Sequence, residues 1–286
     1  MQTIVRSMRL YFWPILAVNA VAMTAAIGGD LKRGALFSVV ISLLASFGFL
    51  LNDLWDRKVD EINKARHFEN SDKGTLAWGI AVSTGCLLSG MGLAMRLGPT
   101  ELRIACVLGV GLMAYTVLLR RYLILPTFLA GFVAASPLWA PLILWPHKVY
   151  AMHWVFVTAM ILLLAARETL MDVRDREGDA AGGRDTMATV FGPGIAKSAA
   201  AVLLIAGTTL LCFVLIAQIG HLTVRDRFAA ATTACVVLYL VMVPAHQVVV
   251  RNSVEGGDYG AVQRFVLQSR AAMILIPLLN LVMWGR

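Results

Sequence analysis

Residues 52–60 read Asn52-Asp53-Leu54-Trp55-Asp56-Arg57-Lys58-Val59-Asp60, and they close a long apolar run from Ala35 to Leu51. Three carboxylates fall at offsets 0, 3 and 7. On a helix those offsets share one face, because one turn takes three or four residues. Carboxylates so placed repel one another, and at a membrane boundary they call for a partner cation. The pattern recurs at Asp172-Val173-Arg174-Asp175-Arg176-Glu177-Gly178-Asp179, after the mostly apolar run Tyr150 to Ala166. Either ladder alone also reads as a solvated helix end; two with the same spacing in the same setting argue against that. Oxygen-only clusters without Cys or His suit a hard cation, Mg²⁺ above all. Mg²⁺ takes one or two carboxylates per ion and completes its shell with water and phosphate. Two facing acidic helix ends then have room for roughly two or three Mg²⁺ and a diphosphate.

The rest of the composition points to a membrane. Of 286 residues, 59% are hydrophobic and 15% charged, where a soluble domain is nearer half apolar. The apolar runs are continuous rather than alternating, which selects helices over a β-barrel. The net charge of +8 comes mostly from loop Lys and Arg, with no basic stripe or motif for nucleic acid. Cys86, Cys106, Cys212 and Cys235 sit inside apolar runs and form no CxxC pair, so they read as free, buried thiols. The five histidines show no ligand spacing.

Windows of about 20 apolar residues suit one crossing. They place nine helices near 8–27, 35–53, 75–95, 101–119, 121–144, 149–170, 195–219, 226–248 and 266–284. The first is long for a signal-peptide core and is read as a retained helix. Pro126, Pro137 and Pro141 are expected to kink the fifth. With nine spans, the face holding both ladders carries 15 Lys and Arg, and the opposite face carries eight. The positive-inside bias puts the ladders in the cytoplasm, with the N-terminus in and the C-terminus out. A bacterial inner membrane is the expected location. Trp139, Trp145, Tyr150 and Trp154 read as an aromatic belt at the other face. The loops 54–74 and 171–194 are expected to cap a central cavity. The ladders are related by a constant shift of 119 residues. Four helices separate them, so a single domain, 1–286, is expected, built from parallel four-helix halves (about 8–144 and 149–284) plus one helix.

Single residues add candidates. Lys58, Arg66, Arg120, Arg121 and Arg174 are cations available to a departing diphosphate. Glu168 lies one turn before Asp172 and within the span; a carboxylate at that depth is costly. It is a candidate to take a proton or bind an acceptor, or else to pair with Arg167 or Arg270. Asn19 is a mid-span polar residue, suited to an acceptor pocket or to packing.

Asn-Asp-x-x-Asp-x-x-x-Asp in the first motif loop, with Asp-x-x-Asp-x-x-x-Asp in the second, resembles the UbiA superfamily of intramembrane prenyltransferases. The likeness continues through Asp175 to Thr186 and on to Phe191-Gly192. The resemblance implies an all-α membrane fold and transfer of a polyprenyl group from its diphosphate to a lipophilic acceptor, often an aromatic, quinone-precursor-like ring. It implies Mg²⁺ held by Asn52, Asp56 and Asp60, with Asp53 beside them, and by Asp172, Asp175 and Asp179. Tyr115, with Arg120 and Arg121 after it, is similar to the family's Tyr and basic residue near the diphosphate. Asp56, Asp175, Tyr115 and Glu168 are then the expected catalytic set, and membrane lipid and the polyprenyl diphosphate the expected partners. Two departures bear on the acceptor: Arg66-His67-Phe68 stands where the family has Arg-Pro, and Met171 where it often has a basic residue. They leave room for a terpene cyclase, which ionises the same substrate without an acceptor. A divalent-cation transporter is the reading from another class; it prefers ionisable groups near mid-membrane, whereas these carboxylates cluster at one end.

Overall fold

The computed structural model describes residues 2–62, 68, 71–118 and 122–219, with isolated positions 231–233, 235, 236, 268, 275 and 284. Its described elements are helical: α1 (Gln2–Ser7), a 3₁₀ turn (Leu10–Phe12), α2 (Trp13–Ala26), α3 (Leu31–Trp55), α4 (Arg57–Ile62), α5 (Lys73–Leu97) and α6 (Pro99–Met113). α6 runs on into a π-helical turn, Ala114–Leu118. Then come α7 (Leu125–Ala134), α8 (Ser136–Leu144), a 3₁₀ turn (Pro146–Lys148), α9 (Ala151–Ala181), α10 (Met187–Val190) and α11 (Pro193–Ile219). Six helices are long and apolar enough to cross a membrane, or seven if α7 and α8 count as one bent span. The chain is a multi-pass integral membrane protein. The expected spans 226–248 and 266–284 lie outside the described residues.

The fifth span breaks where its prolines predict. α7 and α8 meet at 65° around Ala135. Pro126 and Pro137 occupy the first turns of their helices, and Pro141 lies inside α8. Proline at a first turn costs no hydrogen bond, so the two halves each start cleanly and the chain bends between them. The expected first span, 8–27, falls almost wholly within the candidate span Thr3–Ala26, whose helix is interrupted near its start. Arg9 adopts φ 50, ψ 45, and regular helix resumes only at Trp13.

The core gathers buried side chains from seven of the described helices, among them Met23, Phe37, Leu44, Ala94, Leu108, Trp139, Phe156 and Leu211. Trp139 is therefore a correction to the expected belt. It is 2% exposed, stacks on Phe132 at 4.7 Å and donates its indole N–H to the Phe132 carbonyl at 2.8 Å. Tyr150 and Trp154 do face outward. So do Cys106 and Cys235, contrary to the buried state expected of all four thiols.

α9 packs against α7 and α11, and α3 against α2 and α5. Glycines permit the closest approaches. A Cβ on Gly131 of α7 would stand 2.7 Å from the Ile161 carbonyl oxygen of α9. The most apolar window of α3 is 61% buried and that of α9 is 50%, against 22–33% for the other four spans. The two ladder-bearing helices are thus the interior ones. The others turn apolar faces outward, such as Ile80, Leu88 and Met95 on α5 and Val202, Ile205 and Ile216 on α11, as lipid requires.

Candidate active site

The two ladders are built differently. The first is not one helical face, as its offsets suggest. α3 ends at Trp55, Asp56 caps it with φ −89 and ψ 8, and Asp60 belongs to α4. The Asp56 amide still donates to the Asn52 carbonyl and the Asp60 amide to the Asp56 carbonyl, both at 2.8 Å. The chain therefore pivots at Asp56 without losing its backbone bonds. Asp53 and Asp56 are buried.

The second ladder keeps the single helical face that its offsets suggest: it lies wholly on α9, which runs on past the expected span end at 170. Thirty-one residues at 1.5 Å each span about 46 Å, against about 30 Å of hydrocarbon. Asp172, Asp175 and Asp179 occupy the last three turns. The helix stops at Gly182-Gly183, where Gly183 takes φ +66, the left-handed conformation that glycine adopts cheaply after a helix end. The chain doubles back, and the Arg184 amide donates to the Asp179 carbonyl at 2.9 Å.

The ladders meet. α4 packs against α9, and Val59 fills the space where a Cβ on Gly182 would lie. Asp60 feels Asp53 from its own ladder and Asp175 and Asp179 from the other; burial first and then these charges, against Arg9, push its carboxyl up to about 7. Gly182→Ala is expected to drive Val59 and α4 outward and cost about 1–3 kcal/mol of stability. A lowered midpoint in thermal unfolding, with a raised KM for the prenyl diphosphate, checks it.

The Asp60 shift also has a sign. A carboxyl whose folded-state pKa is raised keeps a proton that the unfolded chain gives up. Metal-free protein therefore loses stability as pH rises from the ordinary carboxylate range to about 7. Thermal melts across that window in the presence of a chelator read this out, and Asp60→Asn flattens the slope.

The cations sort differently from expectation. Arg174 donates to both oxygens of its neighbour Asp175, at 2.6 and 2.5 Å. Lys58 lies on α4 with its side chain outside the described residues, and Arg66, Arg120 and Arg121 are outside them altogether. A cation that sequence reasoning passed over stands at the centre instead. Arg184 donates to the Tyr115 hydroxyl at 3.0 Å, lies 3.8 Å from Asp179 and has its guanidinium 5.5 Å from the Tyr115 ring centre. Tyr115 first, then Asp172 and Asp179, raise the Arg184 pKa above its ordinary value against burial, so it remains a cation. The signal was present in the Gly-Gly-Arg that follows the second ladder: paired glycines at a helix end return the next side chain toward that end. Tyr115 itself sits in the π turn, a wider turn often found at functional sites.

Glu168 and Asn19 have local partners. Arg167 donates to Glu168 at 2.6 Å, one of the two pairings foreseen for it. Glu168 also acts electrostatically on Tyr115 and on Asp172. Asn19 is buried on α2, and its amide donates back to the Ile15 carbonyl at 2.8 Å.

The donor set is all oxygen, which suits a hard divalent cation, and burial first and then the neighbouring carboxylates raise the Asp60 pKa. Among the described residues no three acidic, His or Cys side chains close into a ready metal cage.

Residues 11–256 match the sequence profile of the UbiA prenyltransferase family. The chain belongs to this family. It is an enzyme, a UbiA-type prenyltransferase. A digeranylgeranylglyceryl phosphate synthase from Methanopyrus kandleri is 28% identical over 207 residues, covering 70% of this chain and 76% of that protein. One from Methanoculleus marisnigri is 28% identical over 182 residues, covering 61% and 65%. Solved UbiA-type structures share the fold. A digeranylgeranylglyceryl phosphate synthase in membranes superposes with a TM-score of 0.68 at 17% identity, covering 99% of this chain and 98% of that one. A UbiA homolog from Archaeoglobus fulgidus bound to GPP and Mg²⁺ gives 0.70 at 14%, covering 96% and 97%.

Proposed function

We propose that this UbiA family member transfers a polyprenyl group from its diphosphate to the hydroxyl of a glyceryl phosphate lipid. The observation that carries the site is the meeting of the two acidic ladders at the ends of the two most buried spans, with Arg184 and Tyr115 between the second ladder and α6. The names of the matched relatives support the acceptor, and they draw the reading away from the aromatic ring expected from the resemblance.

Asn52, Asp56 and Asp60 would hold Mg²⁺ on one side and Asp172, Asp175 and Asp179 on the other. When bound, Mg²⁺ supplies a Lewis acid that steadies negative charge on the diphosphate. Arg184 adds a fixed positive charge beside it, and Tyr115, accepting from Arg184, keeps its own hydroxyl proton to donate toward a phosphate oxygen. The bond between the prenyl C1 and the diphosphate oxygen breaks, and its electron pair leaves with the diphosphate. The acceptor hydroxyl oxygen forms the new C–O bond and gives up its proton, for which Glu168, the deepest carboxylate, is the base. Apolar walls keep water from the allylic cation. The same reading keeps the chain as one domain of nine spans in two four-helix halves plus one, around a central cavity, with the ladder face toward the cytoplasm.

Purified protein in lipid nanodiscs, given prenyl diphosphates of several lengths with Mg²⁺, tests this. The acceptor arms are a glyceryl phosphate lipid, a phenol and none, with products read by mass spectrometry. An ether of the glyceryl phosphate lipid, formed with release of diphosphate, is expected. A prenylated phenol in its place overturns the acceptor, and a cyclic hydrocarbon or alcohol made without any acceptor overturns transfer in favour of cyclisation.

A further inference from the structure

Among the described residues, Arg9 is the one non-glycine residue with a positive φ. The left-handed conformation is strained for an L residue, and it persists where surrounding contacts over-determine it. Here several of those contacts lie on α3. Ser46 donates its hydroxyl to the Met8 carbonyl at 3.0 Å, and the Trp13 indole N–H donates to the same hydroxyl at 2.9 Å. Phe12 packs on Phe49 at 5.6 Å. The Arg9 guanidinium lies over the Phe49 ring at 4.5 Å and donates to Asp53 at 3.1 Å. Residues 8–13 thus strap the last three turns of α3, and the strained residue is the one that reaches the ladder.

The pair is unequal. The Asp53 side chain is 2% exposed and the Arg9 side chain 26%. A carboxylate buried that deeply needs a counter-charge, and removing the counter-charge is far costlier than removing both partners. Asp53 also opens the ladder. With all three of its carboxylates uncompensated, the first motif would carry more negative charge than one Mg²⁺ site uses.

We infer that Arg9 is a positioning residue for the reaction: its ion pair withdraws Asp53 from the metal-binding set and leaves Asn52, Asp56 and Asp60 to face the Mg²⁺ diphosphate. This rests on the metal reading proposed above. The strained backbone at Arg9 is the means by which the N-terminal strap delivers a cation to the end of α3.

The test uses the full chain in nanodiscs and titrates Mg²⁺ in the presence of inorganic diphosphate, by calorimetry and by thermal shift, beside steady-state kinetics. The variants are Asp53→Asn, Asp56→Asn, Arg9→Met and the double variant Arg9→Met/Asp53→Asn. Asp53→Asn is expected to keep Mg²⁺ affinity within about threefold while Asp56→Asn loses at least about tenfold. Arg9→Met alone is expected to lower kcat about 10- to 100-fold, and the double variant to recover most of that loss, because the orphaned charge is gone. If Asp53→Asn loses affinity as Asp56→Asn does, Asp53 is itself a ligand and the inference falls. A double variant no better than Arg9→Met overturns it as well, even where both fold poorly. If neither Asp variant loses affinity, the metal reading fails, and this inference with it.

Discussion

Asp56→Asn and Asp175→Asn each lower turnover of prenyl diphosphate by more than the about 10- to 100-fold that a supporting residue near a metal costs. Asn keeps the shape and removes the charge, so the backbone pivot at Asp56 survives, and its amide bond to Asn52 with it. What goes is an anionic oxygen at the place where the two ladders approach. Asp175 looks already spoken for, since Arg174 donates to both of its oxygens. A carboxylate has about four lone-pair sites, however, and a bidentate arginine uses two. The remaining two are available to a cation, and Arg174 holds the group in orientation. Asp175→Asn removes the ligand charge and also weakens the two-point pairing with Arg174, so it is expected to be the worse of the two. Turnover measured over a range of Mg²⁺ concentrations checks this. A chelator should silence the wild type to the same degree, and near-normal rates in both variants would refute the metal assignment.

Arg184→Ala is the second large effect. The guanidinium bridges the Tyr115 hydroxyl and Asp179 from a half-buried position, with Asp172 in its field. Removing it takes a fixed cation from the proposed diphosphate site and leaves Asp172 and Asp179 without it. A donor aimed at developing charge is worth about 10²–10³ in kcat, and that loss is expected here. Arg184→Lys keeps the charge but has no planar fork to serve both partners, so it recovers part of the rate. Tyr115→Phe loses only the hydroxyl and is expected to cost less than Arg184→Ala. Steady-state kinetics on the three variants give the order, and equal rates for Arg184→Ala and the wild type would remove Arg184 from the site.

The same two residues show where reading the sequence succeeds and where it stops. Asp56 and Asp175 were legible as members of two matching acidic ladders because spacing along a chain is local information: offsets of three and four repeat with the helical turn. Lengths of apolar run likewise located the described spans to within a few residues. Even there the local reading misjudged helix ends. It ran one helical face through Asp56, where α3 stops, and stopped α9 before Asp172, where the helix continues. Hydropathy marks where lipid ends, and a helix can end before or after that level.

Arg184 and Arg9 were visible only as loop charges. Their roles depend on partners 69 and 44 positions away in the chain, which no local pattern encodes. Composition and spacing determined by themselves that this is a helical membrane protein with two acidic ladders, because burial in lipid and repulsion between carboxylates act on the residue and its near neighbours. Only the tertiary structure decided which charges those ladders meet: the reversal at Gly182-Gly183 turns Arg184 toward Tyr115, and the strained turn at Arg9 carries its guanidinium to Asp53. Contacts between distant segments follow from how the helices pack.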